Sequence, residues 1–337
     1  MTIIELVLSL AAILGAAILF TNAVEIMGDR LNLGAGAVGS VLAAVGTALP
    51  ETMIPLVAIL GSLLLGTGSA AAGEIGIGAI LGAPFLLATL ALFIVGAAGI
   101  GYKGRRETGS EITADRKTAI PDLVFFLACF IPAAAAGILP LPLPLKIGLA
   151  ALLLVAYGLY VVRTVKGGGE AEEDIPARLT LWPFRSQGPT WAVGAQLIGT
   201  IAVMGIGAHL FVGAVEHLSK SVGIPAGLIS LVLAPLATEL PEKFNSVIWL
   251  RGNKDTLALG NITGAMVFQS SVPVALGLAF TSWRLDPLNA LSAALALAGG
   301  AYLYVLVRRK EPIEAEYLLV GGALYAVFLV VALITLL

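Results

Sequence analysis

Residues 46–51 read Gly-Thr-Ala-Leu-Pro-Glu, and residues 237–242 read Ala-Thr-Glu-Leu-Pro-Glu. Each hexapeptide lies inside a long apolar stretch, so each places a carboxylate within a predicted membrane-spanning helix. A carboxylate at that depth is costly unless a partner compensates for it, which makes such residues functional candidates by default. The proline before each glutamate has no amide hydrogen, so a carbonyl four residues earlier lacks its helical hydrogen bond. The two hexapeptides therefore predict paired polar sites inside the membrane.

The oxygen atoms of each site are those that a hard cation prefers. Ca²⁺ takes carbonyl, hydroxyl and carboxylate ligands, and two carboxylates match the charge of one such ion. The alternative is a pair of proline kinks whose glutamates are protonated or paired with a basic residue, but recurrence at equivalent positions favours ion binding. The candidate ligands are the carbonyls of Gly46 and Ala237, the hydroxyls of Thr47 and Thr238, and the carboxylates of Glu51 and Glu242.

The composition around these motifs is that of a polytopic membrane protein. The 337 residues are 58% hydrophobic and 12% charged, whereas about a quarter of an ordinary soluble domain is charged. The net charge of −2 gives no electrostatic reason to expect nucleic-acid binding. The single cysteine, Cys129, excludes a disulfide framework and a cysteine-based metal site. Phosphate-loop and zinc-protease motifs do not occur in the sequence, and Gly and Ala at helical spacing indicate close helix packing.

Ten apolar stretches are long enough to cross a bilayer, so we predict an all-α protein with about ten transmembrane helices. Residues 166–190, with three consecutive glycines followed by four acids, are expected to form a flexible solvated cytoplasmic linker between halves 1–165 and 191–337. The predicted spans are 3–28, 36–64, 72–101, 119–139, 144–165, 191–218, 225–250, 256–281, 287–307 and 314–336.

The placement of Lys and Arg predicts the orientation. With both termini outside, fifteen of the 19 basic residues fall in inside loops, in agreement with the positive-inside rule. The outside loops hold only Lys146, Lys220 and Arg284, and Lys243 lies within a span.

The two halves are related by an internal repeat. A shift of 191 positions lays residues 23–51 on residues 214–242 with twelve identities, and an offset shorter by about ten then pairs Gly78 with Gly260. Five spans per half is an odd number, so the two repeats enter the membrane from opposite sides. Inverted repeats suit alternating access, because exchanging the conformations of the halves turns an outward-open site inward. The identical pairs include Glu25/Glu216, Gly36/Gly227, Thr47/Thr238, Pro50/Pro241 and Glu51/Glu242.

The Pro-Glu hexapeptides resemble the alpha repeats of the cation/calcium exchanger superfamily, in particular its sodium/calcium exchanger membrane-region branch. The family element Gly-Thr-Ser-Leu-Pro-Glu is followed on the next span by a Gly-Asn-x-x-Gly-Ser-Asn-x-x-Asn/Asp segment, which residues 78–87 and 260–269 match in part. The resemblance implies ten helices around a central site where Ca²⁺ competes with several Na⁺, or with H⁺ in some branches. The short linker leaves no room for the regulatory domain of animal exchangers, which favours a prokaryotic cell membrane.

Departures from the family pattern change the expected ligand set. Ala83 and Ala265 replace family serines, so hydroxyl oxygens of the expected sodium sites are missing. Glu239 lies three residues before Glu242 on one helical face, where two close carboxylates favour a shared proton.

Lys243 adds a cation beside these acids that either pairs with Glu239 or replaces a bound ion. Gln269 is expected either to supply an uncharged oxygen ligand or to join two helices.

Other polar residues receive structural interpretations. Glu25 and Glu216 lie near predicted helix ends and are expected to be solvated at the membrane interface, with ion entry as the alternative. His209 is expected to be a hydrogen-bonded structural histidine rather than a proton relay. Glu74 and Asp255 begin their predicted helices, where acids favour the positive end of the helix dipole.

The sequence therefore predicts a secondary active antiporter that exchanges Ca²⁺ for Na⁺, with no cofactor and with the lipid bilayer and inorganic cations as its partners. An exchanger coupled to H⁺ is the main alternative, which Glu239 and the missing serines motivate. An intramembrane enzyme that uses paired glutamates and His209, or a cation channel, is a remote alternative.

Overall fold

The computed structural model describes residues 2–30, 51–61, 70–166, 178–184, 186–309 and 312–337. Nearly all of this part is helical. The helices are α1 (Thr2–Arg30), α2 (Glu51–Gly61), α3 (Ala70–Leu86, the π turn Leu87–Ala91 and Leu92–Gly101), α4 (Arg116–Ile138), α5 (Leu143–Lys166), α6 (Thr190–Val222), α7 (Ala226–Arg251), α8 (Asp255–Gln269), α9 (Val272–Phe280), α10 (Pro287–Arg309), α11 (Ala315–Leu318) and α12 (Val320–Leu336).

The helices follow the predicted spans to within a few residues at most boundaries. Eight helices of the described part are long and apolar enough to cross a bilayer, and Glu51–Gly61 and Ala226–Glu239 are shorter apolar segments. Of the predicted span 36–64, only Glu51–Gly61 lies within the described residues. The predicted span 256–281 is interrupted at Ser270 and Ser271, which separate α8 from α9.

Two features interrupt regular helical geometry, and neither is expected from hydropathy alone. In α3, the Thr89 hydroxyl donates to the Phe85 carbonyl, and the ladder widens into a π turn. Between α8 and α9, the hydroxyls of Ser270 and Ser271 donate back to the Val267 carbonyl at 3.0 and 2.8 Å. These hydroxyls satisfy carbonyls that the end of α8 leaves without an amide donor.

A small sheet and a buried ion pair join three loops at one end of the bundle. Strand β1 (Glu111–Ile112) pairs antiparallel with β2 (Ile313–Glu314), a pairing that the sequence analysis missed. Arg106 Nη2 lies 2.7 Å from both carboxylate oxygens of Asp255, which also accepts the Thr113 amide at 3.1 Å. Asp255 therefore does more than favour the dipole of α8, because it fixes the loop before β1.

The prediction for Glu74 is wrong, since α3 begins at Ala70 and places this exposed residue in its second turn. At that position Glu74 lies beyond the first turn, where the positive end of the helix dipole acts.

The described part of the predicted linker is mostly exposed, and Leu179 anchors it to the helices. Leu179 is buried in a cluster with Ala23 and Ile26 of α1 and Val193 of α6. Arg30 donates to the carbonyls of Gln187 and Gly188 and to the Thr190 hydroxyl. Residues 178–184 and 186–189 therefore lie against α1 and α6, while residues 167–177 lie outside the described part.

Two hydrophobic cores lie side by side, and α3 contributes to both. One core joins α1, α2, α6 and α7 with the first turns of α3. The other joins the remainder of α3 and parts of α2 and α7 with α4, α5, α8, α9, α10, α11 and α12. The helices that contribute to both cores, α2, α3 and α7, therefore link them.

The contact between α3 and α7 depends on glycines. A Cβ atom added at Gly78 would overlap the Gly227 carbonyl oxygen, and one added at Gly82 would overlap the Leu231 carbonyl oxygen. The Ser230 hydroxyl donates to the Ile75 carbonyl at 2.8 Å across the same contact. Close backbone approach of this kind is what small residues permit between membrane helices, as the glycine pattern predicts. It sets the position of α7, which carries the second Pro-Glu motif.

We expect Gly82→Ala to destabilise the protein by about 1–3 kcal/mol, because α7 must move to make room for the methyl group. Thermal unfolding of purified protein in detergent measures the effect. Gly158→Ala on α5 is the matched control, since no described atom lies within 4 Å of a Cβ placed there. An unchanged melting temperature for Gly82→Ala would contradict the close packing.

Candidate functional site

The middle of α7 carries the polar residues of the second Pro-Glu motif. Thr238 is buried, and its hydroxyl donates to the Ala234 carbonyl one turn earlier at 3.1 Å. The hydroxyl proton is used on the helix, and a hydroxyl oxygen that donates in this way can still accept or coordinate through its lone pairs. Ala237 is half-buried, and α7 continues as helix through Pro241, which has no amide hydrogen for the Ala237 carbonyl.

Glu239 is the centre of a polar contact between α7 and α8. It is 1% exposed, and its Oε2 lies 3.5 Å from Nζ of Lys243, which is 0% exposed. Gln269 at the end of α8 donates through Nε2 to Glu239 Oε1 at 3.0 Å. Lys243 thus pairs with Glu239, one of its two predicted alternatives, and Gln269 makes the interhelical bond, the other expected role of that residue.

The first Pro-Glu motif is described in part. Glu51 lies at the start of α2 and is 7% exposed, so its carboxylate is buried inside the helical bundle. Met53 and Ile54 beside it belong to the same hydrophobic core as Ala234 of α7. The described part of α2 and the turn of α7 that precedes Thr238 therefore contribute to one hydrophobic core.

The remaining candidates of the ligand set lie beyond the described structure. Gly46 and Thr47 are outside the described residues, and so is the side chain of Glu242. Within the described residues, no three His, Cys, Asp or Glu side chains converge as a metal site. That the two hexapeptides form the facing halves of one site therefore stays a prediction.

Asp122 is a buried acid that the sequence analysis missed. It lies on α4 and accepts hydrogen bonds from Tyr160 Oη of α5 at 2.6 Å and from Thr263 Oγ1 of α8 at 2.7 Å. Both carboxylate oxygens are therefore used to join three helices. Its position four residues into the predicted span 119–139 was the available signal, but acids near span ends resemble interfacial residues.

The polar residues with predicted structural roles have different outcomes. His209 lies on the exposed face of α6, and its expected structural hydrogen bond stays a prediction. Glu25 and Glu216 are half-buried, and their solvation at the membrane interface stays a prediction. Asn261 of α8 donates to the Ser246 hydroxyl of α7 at 3.3 Å, which adds a second polar contact between these helices.

Comparison with known proteins gives a family for this arrangement. The family model described as sodium/calcium exchanger protein matches residues 1–166 and 193–337. The putative antiporter CaxA of Alkalimonas amylolytica is 27% identical over 191 residues, which cover 53% of this chain. The chain spans 59% of the length of this curated relative in that match.

Solved structures share the fold. The H⁺/Ca²⁺ exchanger CAX superposes with a TM-score of 0.72 at 18% identity, covering 98% of this chain and 81% of that protein. The sodium-calcium exchanger NCX_Mj, soaked with 10 mM Na⁺ and zero Ca²⁺, superposes with a TM-score of 0.58 at 20% identity, covering 98% of both chains. The predicted fold class, an all-helical membrane protein built as inverted five-helix repeats, is confirmed.

We expect Tyr160→Phe to destabilise the protein by about 1.5–3 kcal/mol, since it removes a donor from the buried carboxylate of Asp122. Thermal unfolding in detergent tests this expectation. Tyr157→Phe on the same helix is the matched control, because its hydroxyl has no hydrogen bond to any described residue. Equal melting temperatures for the two variants would show that the Asp122 contact contributes nothing to stability.

Proposed function

The chain belongs to the sodium/calcium exchanger protein family, and from that premise we propose that it exchanges Ca²⁺ for Na⁺ across the membrane by alternating access. It is a cation exchanger rather than an enzyme, which removes the intramembrane-enzyme alternative. What we propose beyond membership of the family is the identity of the coupling ion. The transported ions are the substrates of the site.

The observation that carries the proposal is the burial of Glu51 in an apolar core, with Glu242 at the equivalent position of the other repeat. Two carboxylates contributed by the two repeats supply the charge that one Ca²⁺ neutralises. The proposed shell is completed by the carbonyls of Gly46 and Ala237 and by the hydroxyls of Thr47 and Thr238, with Glu239 and Gln269 beside it. Backbone and hydroxyl oxygens suit Ca²⁺, which accepts six to eight oxygen ligands in flexible geometry.

Exchange follows from the cost of a bare carboxylate in the membrane. When Ca²⁺ leaves, the glutamates must be neutralised by other cations before the empty site can cross the hydrocarbon region. Na⁺ ions that bind the same carboxylates meet this requirement. Because each repeat contributes one glutamate, exchanging the conformations of the repeats opens the same pair of carboxylates to the other side.

Proton coupling is the second candidate, and the small side chains on α3 and α8 favour it. Ala83 is buried and Ala265 is half-buried, so neither position offers a hydroxyl oxygen to Na⁺. A proton needs a carboxylate and no shell of oxygen ligands. The relative CAX is named as an H⁺/Ca²⁺ exchanger, in agreement with this candidate.

We further propose a prokaryotic cell membrane with both termini outside. The support is the distribution of Lys and Arg over the loops together with the short connection between the repeats.

In proteoliposomes loaded with Na⁺, we expect the outward Na⁺ gradient to drive ⁴⁵Ca²⁺ uptake. We expect this uptake to be lost in Glu51→Gln and in Glu242→Gln. Each substitution removes a charge that Ca²⁺ binding needs, and about 2.8 kcal/mol of lost binding corresponds to about a hundredfold. Glu5→Gln is the matched control, since Glu5 is an exposed acid in the first turn of α1.

Imposing Na⁺, K⁺ and H⁺ gradients one at a time identifies the coupling ion. Uptake driven by the pH gradient alone would replace sodium coupling with proton coupling. Uptake that needs no countertransported ion would contradict exchange and favour a channel. Full uptake in Glu51→Gln would remove the proposed ligand role of that residue.

A further inference from the structure

A buried lysine beside the proposed ion site is unusual, because a membrane interior penalises any charge that lacks an opposite partner. Lys243 is fully buried, one helical turn after Glu239 on the same face of α7. Its Nζ lies 3.5 Å from Glu239 Oε2, which is ion-pair distance. The two residues therefore form an ion pair without net formal charge at the depth of the Pro-Glu motif.

The partner of the lysine is held in place by a second helix. Gln269 of α8 donates to Glu239 Oε1, so both oxygens of this carboxylate face donors that belong to the protein. The partners of the Glu239 carboxylate are therefore protein side chains rather than a mobile cation. The contact also spans α7 and α8, which a second hydrogen bond, from Asn261 to Ser246, joins at a separate point.

The repeat shows that the two charges belong together. At the offset of 191 that aligns the Pro-Glu motifs, Glu239 corresponds to Ala48 and Lys243 corresponds to Thr52. The first repeat is neutral at both positions, whereas the second repeat carries one acid and one base. The pair therefore adds an acid to the site without adding net charge.

We propose that Lys243 is a tethered cation of the ion site, which permanently neutralises Glu239 in place of a transported monovalent ion. This inference rests on the proposed function, in which Glu51 and Glu242 bind the transported cation. Three glutamates and one lysine give the site a formal charge of −2. One Ca²⁺ neutralises that charge, and two monovalent cations do the same on the return step. The chain is then an electroneutral exchanger of two monovalent cations for each Ca²⁺.

The experiment measures the Ca²⁺ accumulation ratio in proteoliposomes whose membrane potential is set by K⁺ and valinomycin. We expect the wild-type ratio to be the same at 0 and −100 mV, because no net charge moves. Lys243→Gln leaves a charge of −3, so the Ca²⁺ step keeps a residual charge of −1, which slows uptake, while three monovalent cations neutralise the return step. One charge then moves per cycle of this variant. Its ratio then changes by about 50-fold for each 100 mV.

The matched control is a double variant that restores the formal charge of the site to −2. Glu239→Gln leaves Lys243 without its partner and brings the site to −1, so we expect Ca²⁺ uptake to fall at least about tenfold, a loss of about 1.4 kcal/mol or more in binding. Adding Lys243→Gln to this variant returns the site to −2, and uptake recovers without dependence on the potential. Lys243→Arg retains the charge and is expected to retain potential-independent accumulation.

The outcomes separate this inference from the proposed function. If wild-type protein takes up no Ca²⁺ under any imposed gradient, the proposed function fails. If it exchanges Ca²⁺ but its accumulation ratio follows the potential, the tethered-cation inference alone fails, and no variant is needed for that result. Potential-independent exchange in Lys243→Gln, or a double variant no better than Glu239→Gln, also overturns the inference.

Discussion

A carboxylate that crosses a bilayer must be neutralised, and the polar architecture of this chain follows from that constraint. Its buried acids answer the constraint in different ways. Asp122 is satisfied by two hydroxyl donors and Asp255 by an arginine, so both are fixed parts of the fold. Glu239 is paired with a lysine on its own helix. Glu51, in the motif shared by the two repeats, is the carboxylate that we assign to a transported ion.

Helix packing places these groups. The glycines of α3 let its backbone touch α7, and α3 also belongs to the core that contains α8. The contacts of Gln269 with Glu239 and of Asn261 with Ser246 then fix α8 against α7. A site built this way responds to the relative positions of several helices. In the alternating-access mechanism that we propose, movement of one repeat against the other changes access to the site.

The fold was largely predictable because hydropathy, basic residues and an odd number of spans per repeat are all direct sequence signals. The breaks at Thr89 and at Ser270 were not, since they depend on single hydroxyls that bond to their own helix. The strand pair β1–β2 was also missed, because two-residue strands have no periodicity to detect.

The candidate site was predictable where the repeat marked it and less so elsewhere. The repeated Pro-Glu motif identified Glu51, and the spacing of four residues between Glu239 and Lys243 allowed their pairing. Asp122 was missed because burial near the end of a span depends on neighbouring helices, here through Tyr160 and Thr263. Hydropathy cannot distinguish such a residue from one at the membrane interface.

The central claim is that glutamates from the two repeats hold one divalent ion together. The stoichiometry of Ca²⁺ binding, measured by equilibrium dialysis with ⁴⁵Ca²⁺ on purified protein, tests it most directly. The account predicts one Ca²⁺ per chain in the wild type and none at the same free concentration in either Glu51→Gln or Glu242→Gln. Two ions per chain, or one ion that still binds after either substitution, would show that the two glutamates do not share a site.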